Sequence, residues 1–509
     1  MSLHDGLAGS STLDPSPEWI RELGREVVDF AASYYGSLRD VAVYPRTSAA
    51  ELRSRLQEPL PQEGREVGEL LRVFREVVVP GSRHNGHPRA LGYVSSPGTA
   101  VAAVADFLAS VLNANLTAWR SAPAPVELER VALGWIREAM GLDPAAGGLF
   151  TSGGSMAHLA ALAAARHRHC GEAVAAEGAQ SFTRPLRIYA SSEVHHSIDK
   201  AAVILGFGHR NVQRIPTDAA LRMRVDELDR RIVEDRSSGY EPLAIVATAG
   251  TVVTGAIDPL VAIAEVARRQ KVWLHVDACY GGFARLAPSL RASFDGLAAA
   301  DSVALDPHKW MYLPVDCGCL LYRDPEAARP AFALGADYTR IILEAAEEGR
   351  DEAADESFAF WDYGPELTRR FRALKVWMVM AHVGARALGE AIESNLDCAR
   401  YLAQQVRNSS DFELAAPVEL SIVCFRHLPD VYRGRVLSSA DEQAVDRWNE
   451  TVLVALQQGG SSYLSNAAVE GRFALRGCVI NYRTTRQDMD ILLDDVRRAA
   501  IEARERSSR

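Results

Sequence analysis

Short β-rich runs alternate with alanine-rich helical segments between about residues 100 and 375, and this alternation constrains the fold more than any other feature. Segments between the runs, such as 261–270, have the apolar spacing of crossover helices. Strands that alternate with helices are typical of an α/β domain with a mainly parallel sheet. The runs that predict buried strands are 186–190, 243–247, 272–276, 302–305 and 318–322.

The regions on either side of this pattern differ from it. Residues 1–99 contain helical segments broken by proline-rich loops, and they have too few elements to bury a core of their own. We therefore expect an N-terminal helical arm that packs across a dimer, followed by a large α/β domain at 100–375. Residues 376–509 alternate helices with apolar runs, which predicts a small α+β C-terminal domain.

Composition excludes several classes of protein. The 509 residues carry a net charge of -10 without a basic block, so we expect no nucleic-acid partner. No apolar run reaches the length of a membrane span, and the first residues lack the pattern of a secretory signal. Seven scattered cysteines indicate reduced thiols and a cytoplasmic protein. Cys317 and Cys319 have a spacing that metal sites use, but their apolar surroundings favour core cysteines, and we expect no metal.

Two segments of the predicted large domain end in residues that belong together chemically. Lys309 lies in Ala304-Leu-Asp-Pro-His-Lys-Trp310, and Asp277 ends the apolar run Leu274-His-Val-Asp277. Pyridoxal phosphate (PLP) chemistry needs a lysine amine for a Schiff base and a carboxylate that keeps the pyridine nitrogen protonated. Either residue alone fits a surface lysine or a strand cap. Their buried surroundings together favour a PLP site.

A third segment suits the phosphate of this cofactor. Gly153, Gly154 and Ser155 follow an apolar dipeptide and open an alanine-rich helix. Glycines allow the backbone to approach an anion, and the first turn of a helix offers free N–H donors. No Gly-Lys-Ser/Thr follows, so the turn is not a Walker loop. The turn, Asp277 and Lys309 all follow predicted strands, where ligand sites gather in α/β sheets.

Three further segments each have two interpretations. His195 and His196 follow a strand, and they suit either a ring that stacks on the cofactor or a surface pair. Thr248 follows another strand, and it suits either a hydroxyl near the cofactor or a simple turn. The acidic segment 344–357 suits either a solvated loop or a mobile lid over a site.

With these motifs the chain resembles the group II PLP-dependent amino-acid decarboxylases, and among them the aromatic-L-amino-acid decarboxylases. The resemblance extends over about residues 15–500. It implies fold type I, the aspartate aminotransferase-like architecture, with PLP as cofactor. It also implies a homodimer with active sites at the interface. The expected reaction converts an L-amino acid, aromatic in most relatives of this kind, to the corresponding amine and CO2.

The resemblance also assigns roles to individual residues. Lys309 corresponds to the Schiff-base lysine, Asp277 to the partner of the pyridine nitrogen, and His195 to the histidine that stacks on the ring. Tyr338 corresponds to a mobile-loop tyrosine that returns a proton to the substrate carbon after CO2 leaves. The implied cofactor-binding set is Gly153, Gly154, Ser155, His195, Thr248, Asp277, His308 and Lys309.

The expected substrate pocket departs from the animal enzymes. Val94 replaces an aromatic residue and Asn85 a tryptophan, which implies a smaller or more polar pocket. Asp306 replaces an asparagine beside the phosphate, where a carboxylate would repel it unless paired or turned away. The implied substrate-binding residues are Tyr93, Ser96, Asn115, Thr117 and Thr368, with Asn115 and Thr117 contributed by the neighbouring subunit.

Other functions remain open at this point. The chain could decarboxylate a smaller or more polar amino acid, or act as an aldehyde synthase of the same family. A synthase is disfavoured because known cases lack the loop tyrosine or the stacking histidine, and this chain has Tyr338 and His195. An aminotransferase would need a site for a second substrate, a keto acid, and such sites usually contain an arginine clamp. A non-catalytic scaffold of this fold would have lost Lys309 or Asp277.

Overall fold

A computed structural model describes residues 13–333 and 358–507. Tyr338 and the acidic segment 344–357 lie outside the described residues. The large sheet has the strand order β1-β7-β6-β5-β4-β2-β3. Its strands are β1 (Gly147–Thr151), β2 (Leu186–Ser191), β3 (Val212–Ile215), β4 (Glu241–Thr248), β5 (Trp273–Asp277), β6 (Ser302–Leu305) and β7 (Gly318–Tyr322).

The predicted α/β class and mainly parallel sheet are confirmed. Neighbouring strands from β6 to β3 run parallel, whereas β7 runs antiparallel to both β6 and β1. All five predicted strands are present, as β2, β4, β5, β6 and β7. The expected strand before the phosphate turn is present as β1, although β1 begins with two glycines and is not among the five apolar runs. The sequence did not predict β3, which has only four residues, two of them polar.

Helices cover the sheet and extend beyond it. Alanines 157, 160, 161 and 164 form the buried face of one of them, which packs on the middle of the sheet. The helices up to residue 328 are α1 (Pro17–Ser37), α2 (Ala49–Leu56), α3 (Val67–Val73), α4 (Ala100–Leu112), α5 (Pro123–Ala139), α6 (Gly154–Cys170), α7 (Ala173–Glu177), α8 (Ser197–Ile204), α9 (Val225–Ser237), α10 (Leu260–Gln270), α11 (Pro307–Trp310) and α12 (Pro325–Ala328).

The C-terminal part of the chain forms a second, antiparallel sheet of order β10-β11-β9-β8. Its strands are β8 (Phe412–Leu414), β9 (Ile422–His427), β10 (Ser465–Val469) and β11 (Arg472–Cys478). The helices that accompany it are α13 (Ala373–Asn408), α14 (Ser439–Gly459) and α15 (Arg486–Ser507). Gly384 kinks α13, with φ 80° and ψ 153°. Because α13 spans residue 375, the boundary between the two predicted domains falls inside one helix.

The N-terminal arm contacts the C-terminal part of the same chain. Arg39 and Arg89 both form ion pairs with the buried carboxylate of Asp488, at 3.0 and 3.2 Å. The backbone of Leu91 bonds to Tyr463 and Cys478, next to the small sheet. Helix α1, by contrast, buries none of its residues. The arm is therefore held at its middle by the C-terminal part of the chain, while the residues of α1 stay exposed or half-buried.

Within the described residues, no helix combines the length and apolar character that a membrane crossing requires. All seven cysteines are free thiols, and six of them are buried. Cys317 and Cys319 lie on or beside β7, in the core, where the sequence suggested them.

Candidate active site

A cavity of about 580 Å³ opens at the carboxyl ends of the parallel strands. It brings together residues that are up to 383 positions apart, because adjacent parallel strands end at one edge of the sheet. Every residue of the expected cofactor set lines it, and so does Tyr93 of the expected substrate set. A second cavity, of about 670 Å³, lies at the opposite edge of the sheet, and none of the expected site residues lines it.

Lys309 lies just after β6, on the short helix α11, and its amine points into the cavity. The chain has four lysines, and Lys309 is the one that lines this cavity. Its Nζ lies 2.8 Å from Oδ2 of Asp306. Burial opposes the charge on the amine, but the Asp306 carboxylate outweighs burial, so the pKa of Lys309 is raised above its usual value. The Asp306 carboxylate is thus paired with the amine of Lys309, and this pairing offsets the repulsion that an unpaired carboxylate would exert on the cofactor phosphate.

Asp277 ends β5, where the strand carries its carboxylate to the base of the cavity. The backbone N–H of Cys279 donates to Oδ1 at 3.1 Å, and Nε2 of His158 lies 3.5 Å from Oδ2. Burial alone would raise the pKa of this carboxyl group. Interactions with His158 and Lys309 and the hydrogen bond from the Cys279 backbone outweigh burial and lower the pKa of Asp277 to about 2. The carboxylate is therefore ionised, the form that can hold a proton on a pyridine nitrogen.

His195 follows β2, and its ring lines the cavity next to that of His196. The backbone N–H of Ser197 donates to Nδ1 of His195 at 3.3 Å, and Ser197 Oγ lies 2.7 Å from the same nitrogen. A backbone N–H can only donate, so Nδ1 accepts and the ring carries its proton on Nε2. Burial lowers the pKa of His195 to about 4, chiefly by desolvation. A flat, neutral ring results, which suits stacking on an aromatic cofactor.

The phosphate turn connects β1 to α6. Gly153 has φ +157° and caps α6 without a side chain, so the first N–H groups of a 17-residue helix point towards the cavity. A Cβ on Gly154 would come within 2.5 Å of the Cys279 sulfur, so this position needs glycine. The hydroxyl of Thr248 is buried without a hydrogen-bond partner among the described residues. An anion-binding turn, an unused donor, a lysine and a carboxylate together fit PLP.

The remaining expected substrate residues lie elsewhere in this chain. Ser96 is buried and donates to the backbone carbonyl of His308 at 2.9 Å, so it supports the cofactor loop. Asn115 accepts a hydrogen bond from the backbone of Arg369, directly after Thr368. The backbone carbonyl of Thr117 accepts a hydrogen bond from the backbone N–H of Phe360. Asn115, Thr117 and Thr368 thus cluster beyond the end of α4, outside the cavity of their own subunit.

Arg476, which was not predicted from the sequence, reaches the cavity from β11. It donates to the carbonyls of Tyr93 and Val253 and to Ser465, at 3.2 Å in each case. Its Nη2 is buried and has no partner among the described residues. No local pattern marks it, because an arginine in a strand near the C-terminus reads as a solvated position.

The sequence analysis also missed His158 and His275, which lie behind Asp277. A signal for each was present: His275 lies two residues before Asp277 and so on the same face of β5, and His158 lies one helical turn after Ser155. His158, Asp277 and Cys279 place one ligand atom each within 4.8 Å of one another, a spacing that a metal could use. Burial raises the pKa of Cys279 well above its usual value, which keeps this thiol protonated and favours hydrogen bonding over metal binding.

Comparison with known proteins agrees with this geometry. The aromatic-L-amino-acid decarboxylase of Bacillus atrophaeus is 34% identical over 480 residues, which cover 94% of this chain and 95% of that protein. A solved structure of Oryza sativa TDC with PLP and tryptamine has a TM-score of 0.87 at 28% identity, covering 97% of this chain and 99% of that one.

A third similar protein has a different activity in its name. The structure of 4-hydroxyphenylacetaldehyde synthase from Rhodiola rosea has a TM-score of 0.83 at 27% identity, covering 96% of this chain and 99% of that one. Residues 50–428 match the family described as pyridoxal-dependent decarboxylase conserved domain. Together with the fold and the cavity, these matches confirm fold type I and PLP as cofactor, and the chain belongs to the PLP-dependent amino-acid decarboxylases.

Proposed function

We propose that this enzyme converts an aromatic L-amino acid to the corresponding amine and CO2, with Lys309, Asp277 and His195 as the residues that hold and activate PLP. The observation that carries the proposal is the single cavity in which these three side chains meet. The names of the relatives from Bacillus atrophaeus and Oryza sativa support an aromatic substrate.

Bound PLP supplies an electron-accepting ring that takes up the electron pair left when CO2 departs. Asp277 keeps the ring nitrogen protonated, because its carboxylate is ionised and lies at the base of the cavity. Lys309 attaches the cofactor and later recovers it, which requires the amine to give up the proton that Asp306 stabilises. These roles separate holding the cofactor from activating it.

Orientation of the cofactor depends on the other side chains of the cavity. His195 offers a neutral ring for stacking, and Thr248 and His308 line the same cavity as Lys309. The turn at Gly153, Gly154 and Ser155 would receive the phosphate. A phosphate held at one end and a ring nitrogen at the other fix the plane of the cofactor relative to the bond that breaks.

The wall of the cavity away from the phosphate suits an aromatic ring. Tyr93, Val94 and Val253 line it with apolar surface. Arg83 lies against the rings of Tyr93 and Tyr463, 4.9 and 5.3 Å from their centroids, and so fixes this wall. The free donor of Arg476 lies on the same side and offers a hydrogen bond to a polar group of the substrate.

Assembly as a homodimer is part of the proposal. Helix α4 leaves Val104, Phe107, Leu108, Val111 and Leu112 exposed, and α1 leaves Ile20, Val27 and Val28 exposed. Apolar patches of this kind mark protein interfaces. Asn115 and Thr117 follow α4 directly, so a partner that covers α4 would receive them close to its own cavity.

We further propose a cytoplasmic location, which the seven free cysteines support.

Tyr338 completes the proposed set, as the group that returns a proton to the substrate carbon; this role rests on the resemblance alone.

The main alternative is aldehyde formation, which the match to the Rhodiola rosea synthase keeps open. Incubating the enzyme and PLP with a panel of L-amino acids, and measuring CO2, amine, aldehyde and peroxide separately, tests the proposal. CO2 and amine in equal amounts from an aromatic amino acid are expected. Aldehyde with peroxide, or turnover of small polar amino acids alone, would contradict it.

A further inference from the structure

A series of buried polar side chains leads away from Asp277 through the sheet. Nδ1 of His158 lies 2.8 Å from Nε2 of His275, and Nδ1 of His275 lies 2.9 Å from the hydroxyl of Ser302. The indole N–H of Trp273 donates to the same hydroxyl at 2.9 Å. His158 and His275 are 1% and 0% exposed, so neither ring exchanges its partners for bulk water.

The chemistry of the two ends gives the series a direction. An indole nitrogen can only donate, and an ionised carboxylate can only accept. Ser302 accepts from Trp273, and its own hydroxyl proton is available to donate to Nδ1 of His275. His275 then carries its proton on Nε2 and donates to Nδ1 of His158. His158 in turn carries its proton on Nε2, which lies 3.5 Å from Oδ2 of Asp277 and 3.8 Å from the sulfur of Cys279.

The opposite direction is disfavoured. It would place the lone pair of a neutral His158 against the carboxylate of Asp277, and like partial charges repel at this distance. A charged His275 would also permit other directions, but burial lowers the pKa of His275 to about 3, chiefly by desolvation, so this ring is neutral. With both imidazoles neutral, the donor-to-acceptor order from Trp273 to Asp277 satisfies every group, and a second proton on His158 would also leave the N–H of Nε2 facing Asp277.

We propose that His158 is a positioning residue, which the series His275–Ser302–Trp273 holds with its N–H towards Asp277, so that the carboxylate stays ionised and aimed at the ring nitrogen of the cofactor. The inference rests on the proposed role of Asp277. Burying an imidazole costs desolvation free energy unless its nitrogens form hydrogen bonds. The proposed role explains why both rings are buried and hydrogen-bonded here. His158 acts on the cofactor only through Asp277.

A matched pair of substitutions separates the two contacts of His158. In His158→Asn the side-chain amide lies near the position of Nδ1, so the variant retains a polar group for His275 and loses the one that faces Asp277. In His158→Gln the amide lies near the position of Nε2, so the contact with Asp277 is retained. Ser302→Ala interrupts the series two residues away from the carboxylate.

The readout is the preference of the apoprotein for PLP over 1-deazapyridoxal phosphate, measured as the ratio of their dissociation constants. The analogue keeps the aldehyde, the phenol and the phosphate, and it has a C–H in place of the ring nitrogen. A residue that only supports packing would affect both ligands equally. A residue that acts on the ring nitrogen through Asp277 affects PLP alone.

We expect His158→Asn to reduce the preference by roughly tenfold, the scale of one interaction with a charged group. His158→Gln should keep the preference of the wild type, and Ser302→Ala should reduce it by a smaller factor. The melting temperature of each apoprotein serves as the control for folding. An unchanged preference in His158→Asn, equal weakening of both ligands, or an unchanged preference in Ser302→Ala would overturn the proposal.

Asp277→Ala distinguishes failure of this inference from failure of the proposed function. If Asp277→Ala abolishes the preference and His158→Asn does not alter it, Asp277 keeps its role and the series is structural only. If Asp277→Ala keeps the preference of the wild type, the assignment of Asp277 is wrong, and the role of His158 fails with it.

Discussion

The cofactor end and the substrate end of the cavity differ in the origin of their side chains. At the cofactor end, Asp277, Thr248 and Lys309 follow three neighbouring strands of one sheet, and Asp277 and Thr248 are almost fully buried. At the substrate end, Tyr93 belongs to the arm and Arg476 to the small sheet. Tyr93 is 55% exposed and has a φ of +63°, a conformation that few residues other than glycine adopt.

This difference explains why one fold serves many substrates. The edge of a single sheet holds the cofactor residues at fixed spacing, so the chemistry common to the family is insensitive to the rest of the chain. The substrate wall is assembled from the arm, the small sheet and, in the proposed dimer, the partner. Specificity can therefore change without any change at the cofactor end.

Removing Lys309 is the strongest test of the cofactor end. We expect Lys309→Ala to lose the cofactor that borohydride fixes to the protein, and to lose turnover by roughly 10⁴-fold or more, the scale for removal of a covalent catalyst. Lys200→Ala, which removes an exposed lysine on α8, is the matched control and should behave like the wild type. Cofactor fixed at wild-type level in Lys309→Ala would show that another amine serves.

The next prediction tests whether the substrate end depends on a partner. We expect Phe107→Asp combined with Val111→Asp, on the exposed face of α4, to convert the dimer to monomers and to reduce turnover by roughly 100-fold, because a buried unpaired charge disrupts an apolar interface. Sedimentation velocity and turnover check this. Val436→Asp, at a valine that is 98% exposed, is the control. An active monomer would remove Asn115 and Thr117 from the substrate pocket.

Tyr338→Phe tests the proton that completes the reaction. The substitution keeps the ring and removes only the hydroxyl, so CO2 release should persist while the rate of amine formation falls on the order of 100-fold, the lower end of the range for loss of a general acid. Aldehyde, ammonia and peroxide should appear in its place, with dissolved O2 as the oxidant, consumed in an amount equal to the aldehyde. Amine and aldehyde are measured in the same reaction mixture. If the variant makes amine like the wild type and no aldehyde, Tyr338 is not the proton donor.

The smallest effect is expected at Asp306. Only the neutral amine of Lys309 attacks an aldehyde, and the Asp306 carboxylate raises the pKa of that amine. Asp306→Asn lowers this pKa, so a larger fraction of Lys309 is neutral at pH 7 and PLP should bind covalently several-fold faster, since one pKa unit corresponds to tenfold. The rate advantage of Asp306→Asn over the wild type should shrink as the pH rises towards the pKa of Lys309. Stopped-flow absorbance of apoprotein mixed with PLP measures it, and slower binding by the variant at pH 7 would contradict this account.

The parts of the molecule that could be predicted from sequence are those with local signals. The five strands with apolar runs were predicted, and so were Lys309 and Asp277, because strand periodicity and side-chain chemistry act over a few residues. β1 was expected only from the turn that follows it and showed no apolar run of its own, because its glycines are selected by close packing against β7 rather than by strand propensity. Arg476 was missed because it reaches the cavity only through the packing of the small sheet on the large one, which no local pattern encodes.

The ion pairs of Asp488 have a consequence for how the chain is made. Arg39 and Asp488 are 449 residues apart, so the arm leaves the ribosome long before its partner exists. At a synthesis rate of about 5–20 residues per second, the arm waits for roughly 20–90 s. During that time the apolar side chains of α1 and α4 are available to any nascent chain nearby. The ion pairs of Asp488 then fix the position of the arm, but they leave these side chains exposed. The exposure in which aggregation competes with folding would therefore end only when the proposed second subunit covers α1 and α4.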